Sequence, residues 1–189
     1  MKGQSLAVVG VCLVAGLSSA RAADPALVDL SIARQGETYV ASCRLTGWPT
    51  SEVREEIAAG LETSVGYRLL VYERRSGLPD LALARHRIRC TVRHDTLTRQ
   101  YTLTRYLDDE PQETKVTTEA ATMQEFMTAL RGIPLLPVTD LAAGHEYYLK
   151  AKSDIRWVWR FFLIPWPLDT AWERVPIVIP EGKNAGTAP

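Results

Sequence analysis

The sequence predicts a mainly β protein, a β-rich α+β chain folded as an antiparallel β-sandwich or curved sheet with two short helices. Three observations predict it. Apolar and polar residues alternate along most of the chain, most clearly from Ala84 to His94, and a period of two marks half-buried strands. Turn residues such as Gln35-Gly36, Gly77-Leu78-Pro79-Asp80 and Asp108-Asp109-Glu110-Pro111 separate the runs, as hairpins require. Only two segments read as helices, and both are short.

Residues 1–22 precede the fold. Lys2 supplies a positive start, Leu6 to Leu17 is an uncharged apolar run, and Ala20-Arg21-Ala22 puts small residues at the positions a signal peptidase reads. This is the pattern of a secretory signal peptide cut after Ala22. The run spans about twelve residues, and a bilayer-crossing helix needs roughly twenty, which argues against an uncleaved anchor. Cys12 lies within the run, not at its end, so lipidation is not expected. The expected location is periplasmic or secreted. A single β-rich domain is expected over 23–179, with a flexible tail over 180–189.

The elements follow in order. Val28, Leu30 and Ile32 alternate with polar or small neighbours, Gln35-Gly36 turns, and Tyr39, Ala41, Cys43 and Leu45 alternate again. This is an opening hairpin. After Trp48-Pro49, Thr50 caps a helix over 51–61 with Val53, Ile57 and Leu61 on one face. Residues 65–75 are apolar on both faces, so this strand is expected to be central. Strands follow over 84–94, 97–107 and, weaker, 112–118. Thr122-Met123-Gln124-Glu125 reads as a capping box opening a helix to Arg131, ended by Gly132. Residues 135–141 read as a short edge strand limited by Pro134 and Pro137. Residues 146–152, 158–164 and 172–179 complete the sheet content.

Without the signal peptide the chain carries 20 basic and 22 acidic residues, because Lys2 and Arg21 leave with it. That balance, with the compartment, argues against nucleic acid as a partner. Cys43 and Cys90 remain, each on the apolar side of a strand. In an oxidising compartment they are a candidate disulfide; two separate buried thiols is the other reading. No Cys-x-x-Cys is present to suggest redox catalysis.

Tests for chemistry return little. His86 and His94 share a strand face, but eight residues at roughly 3.4 Å each place them about 27 Å apart, so no metal site is expected. There is no Gly-x-Ser-x-Gly elbow, no Ser-x-x-Lys, no phosphate loop and no dinucleotide fingerprint. No catalytic residues and no cofactor are expected; a hydrolase with an unrecognised site is the weakest alternative.

Two surfaces stand out. Residues 68–105 hold nine arginines against Glu73, Asp80 and Asp95, and residues 106–146 hold eight acids against Lys115 and Arg131. Neighbouring strands can pair these charges. The functional reading is that Arg85, Arg87, Arg89 and Arg93 line one sheet face and meet an acidic partner protein or an anionic envelope polymer. The second surface is the segment of Trp157, Trp159, Phe161, Phe162, Trp166 and Trp172. Core packing explains it simply; an exposed loop around Pro165-Trp166-Pro167 touching a partner or membrane surface is the sharper account.

Several segments carry a family resemblance. They are the helix ending near Gly60-Leu61 before a strand, Asp95-Thr96-Leu97-Thr98-Arg99-Gln100-Tyr101, Gly144-x-x-Tyr147, and the late proline-rich stretch ending at Trp172. In this order they resemble the bacterial family known as domain of unknown function 4390, over roughly residues 28–178. The chain departs from that pattern between Lys150 and Phe162. The resemblance implies an exported domain with no assigned activity and no catalytic residues to carry over. Sensor-kinase neighbours of such genes imply envelope signalling. The expectation is therefore an envelope binding or accessory module. The alternative is a membrane-surface or cell-wall-associated structural protein.

Overall fold

A computed structural model describes residues 24–160 and 164–179. The expected signal peptide and the 180–189 tail lie outside them. The elements run β1 (Ala26–Gln35), β2 (Thr38–Thr46), α1 (Ser51–Ala58), β3 (Thr63–Arg74), β4 (Leu81–Asp95), β5 (Gln100–Leu107), β6 (Glu110–Thr117), α2 (Ala120–Thr128), β7 (Ala129–Pro137), a 3-10 turn (Val138–Asp140), β8 (Glu146–Arg160), β9 (Ile164–Asp169) and β10 (Glu173–Ile177).

Two antiparallel sheets result. The small one has the order β1-β2-β7 and the large one β10-β8-β3-β4-β5-β6, with β9 also on β8. They enclose one hydrophobic core. Ala41, Cys43 and Leu45 of β2 and Leu130 and Ile133 of β7 share it with Val65, Tyr67, Leu69 and Val71 of β3 and Ile88, Cys90 and Val92 of β4. The mainly β architecture with two short helices is as the alternation predicts. β3 is central, between β8 and β4, and its even-numbered residues Leu70 and Tyr72 form part of the half-buried outer face.

The helices and several strand ends differ from expectation. Thr50 does cap α1, its side chain accepting the Val53 N–H at 3.4 Å, and Val53 and Ile57 are buried. The helix stops at Ala58, however. Gly60 takes φ +79° close to β4, where a Cβ would stand 3.2 Å from the His94 carbonyl oxygen. Leu61 is therefore outside the helix face and exposed. In α2 the capping box is not used: the helix starts at Ala120, and the Thr122 hydroxyl donates to the Glu119 carboxylate. It ends at Thr128 because β7 begins at once, Ala129 and Leu130 pairing with Arg44 and Cys43. Gly132 lies inside β7 with φ +63°, donating its N–H to the Ser42 hydroxyl at a ladder irregularity. Where separate strands are expected over 146–152 and 158–164, β8 runs unbroken from Glu146 to Arg160, and Ile164 already opens β9. β5 starts at Gln100, since Leu97 belongs to the preceding turn.

Candidate functional site

Directly opposed residues of an antiparallel ladder lie on the same sheet face. Arg85, Arg87 and Arg89 of β4 oppose Leu70, Arg68 and Gly66 of β3, and Arg93 opposes Thr102 of β5. All four arginines are exposed on the outer face, while Ile88, Cys90 and Val92 between them fill the core. The alternation from Ala84 to His94 thus sorts guanidinium groups from core side chains, as the sequence predicts.

Cross-strand charge pairing accounts for part of the arginine cluster. Arg68 holds Asp154 with two bonds of 2.7 Å, and Arg74 meets Glu146 at 3.0 Å. Arg105 meets Glu113 at 3.1 Å. Among the described residues, Arg85, Arg87 and Arg93 form no ion pair, and Arg89 lies over the Tyr106 ring at 4.2 Å. Lys150, Lys152 and Arg174 extend the same face across β8 and β10. Lys152 is partnered by Asp169 and Asp154.

A cleft of about 480 Å³ lies on this face, lined by Arg68, Leu70, Arg85, Arg87, Asp109 and Trp172 among others. Trp172 comes from the link between β9 and β10. The link is pinned to β8: Thr170 N–H donates to the Ser153 carbonyl, and Ser153 N–H to the Thr170 hydroxyl, both at 2.9 Å. Thr170 to Trp172 occupy the gap between the Asp154–Asp169 and Ala151–Glu173 pairs. Lys150, Lys152 and Arg68 stand 5.2, 5.3 and 5.8 Å from the Trp172 ring centre, within cation–π range. At the other end, Asp108 and Asp109 form the β5–β6 turn, both with positive φ.

His86 joins this end of the cleft to the small sheet. Its Nδ1 is 2.8 Å from Asp108 Oδ2 and its Nε2 is 2.6 Å from the Leu135 carbonyl oxygen. Burial opposes charge on Asp108, but the Arg87 N–H at 2.8 Å and His86 outweigh it and hold the carboxyl below the usual carboxylate range.

The core side of β4 carries no activated group. Cys43 and Cys90 are both buried and unbridged in this structure, the separate-thiol arrangement that the sequence left open beside a bridge. Burial, reinforced by the neighbouring Cys90, pushes the Cys43 thiol up to about 12. Burial also raises Cys90, against an opposing pull from Arg105. Neutral thiols surrounded by apolar side chains are inert. Arg105 itself departs from the other arginines. It opposes Cys90 and points inward, donating to the Phe126 carbonyl at 3.0 Å and the Ala129 carbonyl at 3.4 Å at the end of α2.

The expected aromatic surface of Trp157, Trp159 and Trp166 lies outside the described side chains. Their backbone belongs to β8 and β9, where Trp157 opposes Pro167, Trp159 opposes Pro165 and Trp166 opposes Val158. Pairing of β8 with β3 stops at Asp154, while pairing with β9 continues to Arg160. Trp172, which the sequence counts in the aromatic segment but does not single out as a contact residue, is the aromatic that lines the cleft. Its sequence signal was its position between Thr170 and Lys-facing β10, legible only once β8 and β10 were paired.

Among the described residues no group of three or more His, Cys, Asp or Glu is placed to hold a metal ion. No described helix is long and apolar enough to cross a membrane. No curated protein and no solved structure matches the chain. The family comparison does match: residues 22–174 align with the domain of unknown function DUF4390. That span takes in both sheets, both helices and the basic outer face, and the chain belongs to this family.

Proposed function

We propose that this protein is an exported, non-enzymatic binding module of the bacterial envelope that holds an anionic ligand on the outer face of its large sheet. Export rests on the residue pattern of 1–22. One observation carries the ligand reading: Arg85, Arg87 and Arg93 are exposed along one strand with no ion pair among the described residues. Guanidinium groups in a row favour carboxylate or phosphate through charge-assisted, bidentate bonds. Their field also speeds the encounter with an anionic partner. The near-neutral total charge makes this a local property of one face.

The test is retention of the purified mature chain on an immobilised polyanion such as phosphocellulose. Retention is expected at about 50 mM salt and release at a few hundred millimolar, because exposed charges are screened over the Debye length. The variant carrying Arg85→Glu, Arg87→Glu and Arg93→Glu should pass through unretained. Equal retention of that variant would remove the basic face from the reading.

A second reading has its own observation. The β8–β9 ladder continues past the end of the β8–β3 pairing, so a two-stranded arm rich in Trp and Pro leaves the sheet. Contact of that arm with a membrane surface is the alternative use of the molecule. Binding to neutral phospholipid vesicles that the triple arginine variant retains would favour it.

A further inference from the structure

We infer that the cleft between Trp172 and the Arg85–Arg87 pair binds an acidic saccharide, with the sugar ring on the indole and the acid group on the guanidiniums. The inference rests on the proposed anion-binding face and names the ligand class of that site.

Each part of the cleft suits a different part of such a ligand. Arg85 and Arg87 are exposed, without an ion pair among the described residues, and line the same cleft. They present fork-shaped donors to a carboxylate or phosphate. A simple anion would need nothing more. The cleft, however, also contains an indole and two carboxylates, of which Asp108 is already bonded to His86 and to the Arg87 N–H. Trp172 keeps 39 % of its surface exposed even though Lys150, Lys152 and Arg68 surround its ring. Arg68 is tied to Asp154 and Lys152 to Asp169, so these cations are held in place by partners and the ring stands pre-positioned. The exposed part of the indole offers a flat apolar surface for the C–H face of a pyranose ring.

Asp109 gives the second argument. It is exposed in the tight β5–β6 turn and lines the cleft. A carboxylate repels a bare anion but accepts hydrogen bonds from hydroxyl groups. A ligand with both hydroxyls and an acid group satisfies Asp109 and the arginines together. Leu70 and Tyr72 supply a half-buried floor beneath. The volume, about 480 Å³, is in the range of small-ligand sites and fits one or two sugar units.

The test is calorimetric titration of the mature chain with four probes: an oligogalacturonate, a phosphorylated hexose, a neutral malto-oligosaccharide and an oligoglutamate. The first two carry the acid on a sugar as carboxylate or phosphate, so their ranking identifies which acid is preferred. The last carries carboxylates on no sugar. At least one acidic saccharide should bind, the neutral one should not, and oligoglutamate should bind about tenfold more weakly. Trp172→Ala should lower acidic-saccharide affinity about tenfold while leaving oligoglutamate unchanged, and Trp172→Phe should restore much of it. Arg85→Ala with Arg87→Ala should abolish binding of every acidic probe that the native chain binds. If oligoglutamate binds as well as the saccharides, or Trp172→Ala changes nothing, the saccharide assignment falls while the anion-binding face stands. If no acidic probe binds and polyanion retention is also absent, both fall.

Discussion

Tyr67 shows how much one residue decides. It is fully buried, and its hydroxyl donates to the Met127 carbonyl at 2.7 Å near the end of α2. Burial raises its pKa well above the ordinary phenol value, so the hydroxyl stays a donor across the physiological range. Tyr67→Phe keeps the ring and removes only that bond. It leaves a buried carbonyl without this donor and should cost about 1–2 kcal/mol in urea unfolding. No loss would mean that the carbonyl finds another partner. Arg105 works beside it at the same helix end, donating to the Phe126 and Ala129 carbonyls while its guanidinium lies 4.5 Å from the Phe126 ring centre. Sequence alone placed Arg105 in a charge cluster. Its inward position follows from standing opposite Cys90 across the ladder, which no local pattern specifies.

At the scale of elements, the β4–β5 turn explains the segment that carried the family resemblance most specifically. The Asp95 carboxylate accepts the N–H groups of Leu97 at 2.8 Å and Thr98 at 3.1 Å, and Arg99 has φ +56°. The segment is therefore a turn, stabilised by a side chain that satisfies two backbone donors. The alternation that suggested a strand from Leu97 is broken because Leu97 sits at the tip, 94 % exposed. The Thr98 and Leu97 N–H groups hold the Asp95 carboxyl below its ordinary value. A depressed folded-state pKa gives stability that is fully present above the ordinary carboxylate pKa and is lost as pH falls through the depressed one. Amide protection at Leu97 and Thr98 should therefore hold at neutral pH and fade in strong acid. Asp95→Ala should remove it at every pH, measured by hydrogen exchange. Persistent protection in that variant would show that the backbone alone sets the turn. The same scale holds the largest misreading, the junction of α2 and β7. Helix signals extended to Gly132, yet pairing with β2 claims the backbone from Ala129.

For the whole molecule, the two free thiols report on how the sheets are joined. Cys43 lies in the small sheet and Cys90 in the large one, and both belong to the single core. With Cys43 raised to about 12 and both side chains buried, a thiol reagent at neutral pH should find neither in the native protein. One core implies cooperative unfolding. Both thiols should become reactive at one urea midpoint, coincident with loss of far-ultraviolet circular dichroism. Reaction of Cys43 at lower urea would instead show that the small sheet opens separately. His86 adds a polar tie between the sheets through the Leu135 carbonyl.

The sequence by itself determined the strand content, the central place of β3, and the sorting of arginines and core side chains on β4. Those follow from periodicity, because alternate residues of a strand must face opposite ways wherever the strand lies. It also carried the family. Only the tertiary structure decided which arginines lack an ion pair, where α2 gives way to β7, and that Trp172 meets Arg68, Lys150 and Lys152 beside the Arg85–Arg87 pair. Those depend on ladder partners far apart in the chain, such as Arg68 with Asp154. Local spacing does not encode such partners; the register between strands does.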